Sequence, residues 1–134
     1  MDEKTKRSLI AYRLEKAHTD LSAAIMSFDA GFYDASANRS YYAIFHAARA
    51  VLMLNGQDYK KHSGVISRFS EQYLKTKILP PELSKIISMA SIIRNRSDYE
   101  DFYICSISDT KKLVSDAALF LDTVTAFLET QYNE

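Results

Sequence analysis

The chain has one cysteine, two prolines, three glycines and no tryptophan among 134 residues. Each scarcity excludes something. A lone Cys105 forms no internal disulfide and supplies no cysteine pair for zinc, so a reducing compartment, the cytoplasm, is the expected location. So few glycines and prolines leave little material for turns, which predicts long elements and an all-α fold. No charge excess exists either: 17 Lys and Arg balance 17 Asp and Glu. That balance argues against a protein that coats long nucleic acid by charge alone, although it permits a local basic site. The N-terminus, MDEKTKRS, has no apolar core behind its charges, so no signal peptide is expected, and no run is long enough to cross a membrane. Neither a glycine-rich phosphate loop nor a histidine pair with metal-ligand spacing is present, so no metal or cofactor is expected. Cys105 has no local base and is not a candidate nucleophile.

What the chain does have is a helix that is apolar almost all round. Residues 34–54 read DASANRSYYAIFHAARAVLML, and from Tyr41 onward only His46 and Arg49 interrupt the apolar run. Such a helix is normally the buried centre of a bundle. At about 100° per residue, Asn38, Arg39, Tyr42, His46 and Arg49 share one narrow arc. A polar stripe on a buried helix must meet polar partners or a cleft.

The rest of the chain supplies the packing partners. Helical spacing of Ile10, Leu14, Ala17, Leu21, Ala24, Ile25 and Phe28 predicts a first helix over about residues 5–29. Gly31 is a plausible stop, and Asp34 or a neighbour a cap for the central helix, which ends near Asn55 and Gly56. After a polar loop at 57–61, Ser63 can cap a third and shortest helix, ending around residues 75–77. A fourth is expected over about 81–97 with Pro81 at its first position and Leu83, Ile86, Ile87, Ala90 and Ile93 as its buried stripe. Residues 98–106 read as a loop. Ser106 or Ser108 can cap the last helix, whose apolar face carries Leu113, Ala117, Phe120, Leu121, Val124, Phe127 and Leu128. The expected fold is an antiparallel up-down bundle of about five helices in one domain, residues 1–134.

Arg94 is the most informative single residue, because it falls inside the apolar arc of the fourth helix while Arg96 points away. Arginine is rarely buried unpaired. Either it bridges to Asp98, four residues on, or it faces a cleft and binds phosphate, with Asp98 able to orient it. Tyr99 either packs at the bundle edge or acts as a proton donor or stacking platform. His46 is either a hydrogen-bonded core residue or a participant in chemistry. His62, behind Lys60 and Lys61 at a helix start, either is solvated or attracts an anion, and His18 is a surface residue without an obvious partner.

Three segments then resemble one known family. ANRSYYAIFHAARAVLMLNG at 37–56, KKHSGVISRF at 60–69 and IIRNRSDYEDF at 92–102 occur in the order and helical context of small stand-alone HEPN proteins, the "higher eukaryotes and prokaryotes nucleotide-binding" domains. The resemblance spans about residues 31–128. It implies a helical bundle that forms homodimers and pairs with a minimal nucleotidyltransferase in a toxin–antitoxin-like module. Many members are metal-independent ribonucleases with an Arg, a polar residue and then a His. Arg94 and Asn95 match the first two positions, but no histidine follows His62, and Tyr99 stands in its place. A tyrosine that some relatives carry as a modification site corresponds in spacing to Asp101, so that property does not transfer to Tyr99.

Three functions are therefore expected in order. The first is a nucleotide- or RNA-binding subunit with Arg94, Asn95, Asp98, Asn38, Arg39, Tyr42, Arg49 and His62 as binding residues. The second is a metal-independent endoribonuclease toxin with Arg94 stabilising charge and Tyr99 or His46 replacing the missing histidine. The third is an assembly protein in which Arg94 and Asp98 only stabilise the fold.

Overall fold

The computed structural model describes residues 1–132; residues 133 and 134, at the end of the expected domain span, lie outside the described part. It is an all-α bundle of five helices: α1 Glu3–Asp29, α2 Tyr33–Leu52, α3 His62–Phe69, α4 Leu83–Tyr99 and α5 Ile107–Tyr132. No strand occurs among the described residues. A 3₁₀ turn, Met53–Asn55, extends α2, and a π turn, Ser70–Leu74, extends α3. Gly56 then adopts φ 67°, a left-handed conformation that costs glycine nothing and ends the second helix as a tight stop.

The second helix is the centre, as its all-round apolarity requires. Ala43, Ile44, Ala47, Ala48, Ala50 and Val51 are wholly buried, and α2 packs against each of the other four helices. Its tightest seam is with α1. Ser36, Ser40, Ala43, Ala47 and Ala50 put small side chains along α2, and Ala17 and Ala24 do the same on α1, so the two backbones approach closely. Ser36 donates its hydroxyl to the Ala24 carbonyl at 2.7 Å across that seam. On the opposite side Phe69 and Phe120 meet at 5.6 Å between ring centroids and close the core over α5.

Several helix ends differ from expectation, each for a local reason. Asp34 does not cap α2, which starts behind Phe32; its carboxylate instead accepts the Cys105 N–H at 3.1 Å and ties down the loop before α5. Ser63 does not cap α3, because the helix begins one residue earlier at His62, behind Lys61. Pro81 lies in the turn before α4 rather than at its first position, with the Leu83 N–H bonded to the Pro80 carbonyl. The fourth helix runs two residues further than expected, through Asp98 and Tyr99. Ser106 is the cap of α5, its hydroxyl accepting the Asp109 N–H at 3.0 Å.

The α1 stripe contains two charged residues, Arg13 and Asp20, both buried. Arg13 donates to Asp58 Oδ2 at 2.9 Å, while Asp58 Oδ1 accepts from Arg49 at 3.1 Å. Burial and the neighbouring Arg49 charge push the Arg13 pKa down. Burial alone would push the Asp58 carboxyl up, but the hydrogen bonds from Arg49 and Arg13 outweigh it and hold it low. Asp58→Ala is therefore expected to leave two like charges facing each other, one of them only 6% exposed. The expected loss in urea denaturation is about 2 kcal/mol, below the ~3–5 kcal/mol of a fully buried pair because the Asp58 side chain is half exposed. An unchanged midpoint would show that water satisfies Arg13.

Candidate functional site

The main candidate is an open cleft of about 650 Å³ between α3 and α4, floored by Tyr41 of α2. Helical spacing brings its walls together. Ser88, Ser91 and Asn95 follow one another on α4, Ser63 and Ser67 face them from α3, and His62 opens α3 at the mouth. Arg94 projects from α4 over the floor. Its guanidinium carbon lies 5.1 Å from the Tyr41 ring centroid and 5.7 Å from that of Tyr42. Cation–π geometry of this kind holds the planar head over the two rings.

Arg94 is paired, but loosely. Asp98 Oδ2 lies 3.4 Å from Nε, and Nε makes no hydrogen bond within the chain. Burial works against the charge, yet Tyr42, Tyr41 and Asp98 together outweigh it and raise the Arg94 pKa. The group is a permanent cation, held by ring faces and a half-exposed carboxylate, at the side of a cleft lined by serine hydroxyls together with Ile66 and Ile92. Phosphate oxygens suit it, since a guanidinium fork can meet two of them at once.

Tyr41 is 1% exposed, and burial pushes its hydroxyl up to about 12, so it is a neutral phenol. Its oxygen is 2.8 Å from His62 Nδ1. The His62 ring also stacks on Phe45, with centroids 4.0 Å apart and planes at 24°. Burial, then Arg94 and Arg49, lower the His62 pKa, so the imidazole is neutral at pH 7. A second cleft of about 480 Å³, lined by Phe45, Arg49, Asp58, Tyr59 and Lys60, also has His62 in its lining.

The structure sorts the expected site residues into groups. His62, Arg94 and Asn95 line the main cleft, Tyr42 braces Arg94, and Asp98 pairs with it. The remaining stripe of α2 turns elsewhere. Arg39 donates to Asp20 at 3.0 Å and to Asn38, beside it in sequence, at 2.7 Å. Arg49 joins Asp58 in the second cleft. His46 is 8% exposed, with Nε2 3.7 Å from Asp20. Tyr99 is 81% exposed on the last turn of α4 and is not among the residues lining the cleft. Neither Tyr99 nor His46, the residues expected to replace the missing histidine, is among those lining the cleft.

Sequence reasoning missed Tyr41 and the four serines as site residues, Ser63 having been read only as a helix cap. A signal for the serines existed: Ser88, Ser91 and Asn95 are spaced as one helix face, and Ser63 and Ser67 as another. Nothing local signalled the contact between Tyr41 and His62, which are 21 residues apart. No group of three or more His, Cys, Asp or Glu that could hold a metal ion occurs among the described residues. No helix among them is long and apolar enough to cross a membrane.

Comparison with known proteins gives a consistent picture. The model of the HEPN domain family matches residues 10–128. A Methanocaldococcus jannaschii protein named "Putative toxin" is 30% identical over 115 residues, covering 86% of this chain and 78% of that one. A "UPF0332 protein" of Thermotoga maritima is 30% identical over 96% of both chains. Another of that name from Gloeobacter violaceus is 34% identical over 86% of this chain and 92% of its own.

Proposed function

The chain belongs to the HEPN domain family, and from that premise we propose that it is a toxin-like subunit whose Arg94 cleft holds the phosphate of a nucleotide or RNA strand. The observation that carries this reading is Arg94 itself: a loosely paired guanidinium, braced on two tyrosine rings, beside a cleft of serine hydroxyls. Two relatives named "Putative toxin" support the toxin-like part. The same reading includes a homodimer, a cytoplasmic location and a minimal nucleotidyltransferase as partner, following the family resemblance. Isothermal titration with a mononucleotide and a short RNA tests it. Binding by wild type and its loss in Arg94→Ala is the expected result; no binding, or equal binding by the variant, overturns the site.

A second reading, metal-independent cleavage of the bound RNA, is favoured by one observation, the neutral imidazole of His62 in the same cleft. The purely structural reading draws on the ion pair between Arg94 and Asp98. It predicts loss of stability in Arg94→Ala with no effect on any ligand.

A further inference from the structure

We propose that the second cleft, between α2 and the loop leading into α3, is a phosphate site in its own right. Arg49 and Lys60 hold a phosphate dianion there, either inorganic phosphate or the terminal group of a small phosphomonoester. Arg94 is not in the lining of this cleft, so the site stands or falls independently of the function proposed above.

The charges around the cleft do not balance. Asp58 is the one acidic residue in the lining, and both of its oxygens are engaged. Oδ2 accepts from Arg13 at 2.9 Å, and Oδ1 accepts from Arg49 at 3.1 Å and from the Tyr59 N–H at 3.0 Å. One carboxylate thus serves two guanidiniums, and the Arg49 charge helps to lower the pKa of Arg13. Lys60 is exposed and takes part in no ion pair among the described residues. Three cations against one carboxylate leave an excess that a dianion cancels.

Arg49 has donors to spare. Its side chain is partly exposed and makes one hydrogen bond among the described residues, from Nη2 to Asp58. Its Nε is buried without a partner. A guanidinium in that condition can direct its outer N–H groups at phosphate oxygens, with the Lys60 ammonium as a point charge beside it. About 480 Å³ is more than a bare phosphate needs and falls within the ~300–1,000 Å³ of small-molecule sites. Phe45 and Tyr59 supply ring surface for an organic body.

His62 reports on occupancy. The groups around its ring are Tyr41 and Arg49 on α2, Arg94 with Asp98 on α4, and Asp58 and Lys60 in the preceding loop. Burial, then Arg94 and Arg49, lower its pKa. A dianion on Arg49 offsets one of those cations, so the His62 titration should move up when phosphate binds.

The test titrates inorganic phosphate and phenyl phosphate into the whole chain, at constant ionic strength set with chloride. Calorimetry reads affinity, and NMR of the imidazoles reads the His62 midpoint. Arg94→Ala, which removes the cation of the other cleft, is expected to keep a phosphate site. Arg49→Gln placed on that variant should weaken it at least about tenfold and abolish the shift of His62. Asp58 keeps Arg13 in that protein, so folding is expected to survive. Lys60→Ala changes an exposed side chain and should weaken binding in the same direction. Tighter binding of phenyl phosphate than of inorganic phosphate identifies a monoester as the source of the phosphate, and equal affinities identify the free ion. Absence of phosphate binding overturns the site, as does equal binding by folded Arg49→Gln and Lys60→Ala. Binding that Arg94→Ala abolishes places the anion in the other cleft, and so does the same for this one while sparing the proposed function. Binding that leaves the His62 midpoint unmoved puts the phosphate elsewhere on the surface and overturns the site too.

Discussion

Arg94→Ala is expected to weaken binding of a short RNA by about 10- to 150-fold while changing folding stability by less than about 1 kcal/mol. The first figure follows from the ~1.5–3 kcal/mol that hydrogen bonds to a charged group contribute, at 1.4 kcal/mol per factor of ten. The second follows from the pair that is lost. Arg94 and Asp98 are 22% and 37% exposed and meet at 3.4 Å, with no aligned hydrogen bond from Nε. An i,i+4 pair of that kind contributes only about 0.3–0.5 kcal/mol. The cation–π contacts with Tyr41 and Tyr42 add roughly 0.5 kcal/mol in a partly wet site. Calorimetry on the ligand and urea denaturation on the protein read the two quantities separately. Arg94→Lys sharpens the comparison, since it keeps the charge but not the planar fork, and should recover only part of the affinity. The structural reading demands the reverse pattern: a large loss in urea and none in the calorimeter.

The fold was legible in the sequence because its cause is periodic. Apolar spacing on five segments fixes five helix faces, and the buried stripe expected on α4 is the one observed. Helix ends were read less well, since a capping residue type names a possibility and not a partner. Asp34 had the right chemistry for a cap and spent it on the Cys105 N–H, 71 residues away. Arg13 and Asp20 were passed over for a related reason. They sit at apolar spacing with Ile10, Ala17 and Ala24, where a pattern of hydrophobic residues simply skips them. Their partners, Asp58 and Arg39, belong to other segments.

The site was half legible. Arg94 stood out because one charge in an apolar arc is a local anomaly, and the structure puts it beside a cleft. The stripe on α2 was real as a face but not as a single site. A helix arc spans enough angle and length to meet several neighbours, and Arg39 and His46 meet Asp20, while Arg49 meets Asp58 and Tyr42 meets Arg94. Periodicity says which residues share a face and is silent about what lies opposite each. His62 is the clearest case: at a helix start its neighbours in sequence are lysines, and its neighbours in space are Tyr41 and Phe45.

Acidification is expected to destabilise the protein through His46, and the sign can be worked out from its surroundings. Burial, then the charges of Lys16, Arg49, Arg13 and Arg39, press its pKa down to about 4. Asp20 at 3.7 Å pulls the other way, but Arg39 already holds that carboxylate at 3.0 Å, so burial and the four cations prevail. The unfolded chain takes up the proton near pH 6.5, and the folded chain does so only near pH 4. Between those values the unfolded state binds more protons, so stability falls as pH falls through the window. Below it His46 contributes no further loss. At ~1.4 kcal/mol per pH unit the whole window amounts to about 3 kcal/mol, large against the stability of a small domain. Urea denaturation of wild type and His46→Gln from pH 7 to pH 4 isolates this group from the carboxylates, which titrate in both proteins. The wild-type curve should fall more steeply by about one proton. Parallel curves would mean that the ring titrates alike in both states. A wild-type curve that instead gains on acidification would mean that Asp20 outweighs the four cations, and that the seam between α1 and α2 carries an imidazolium.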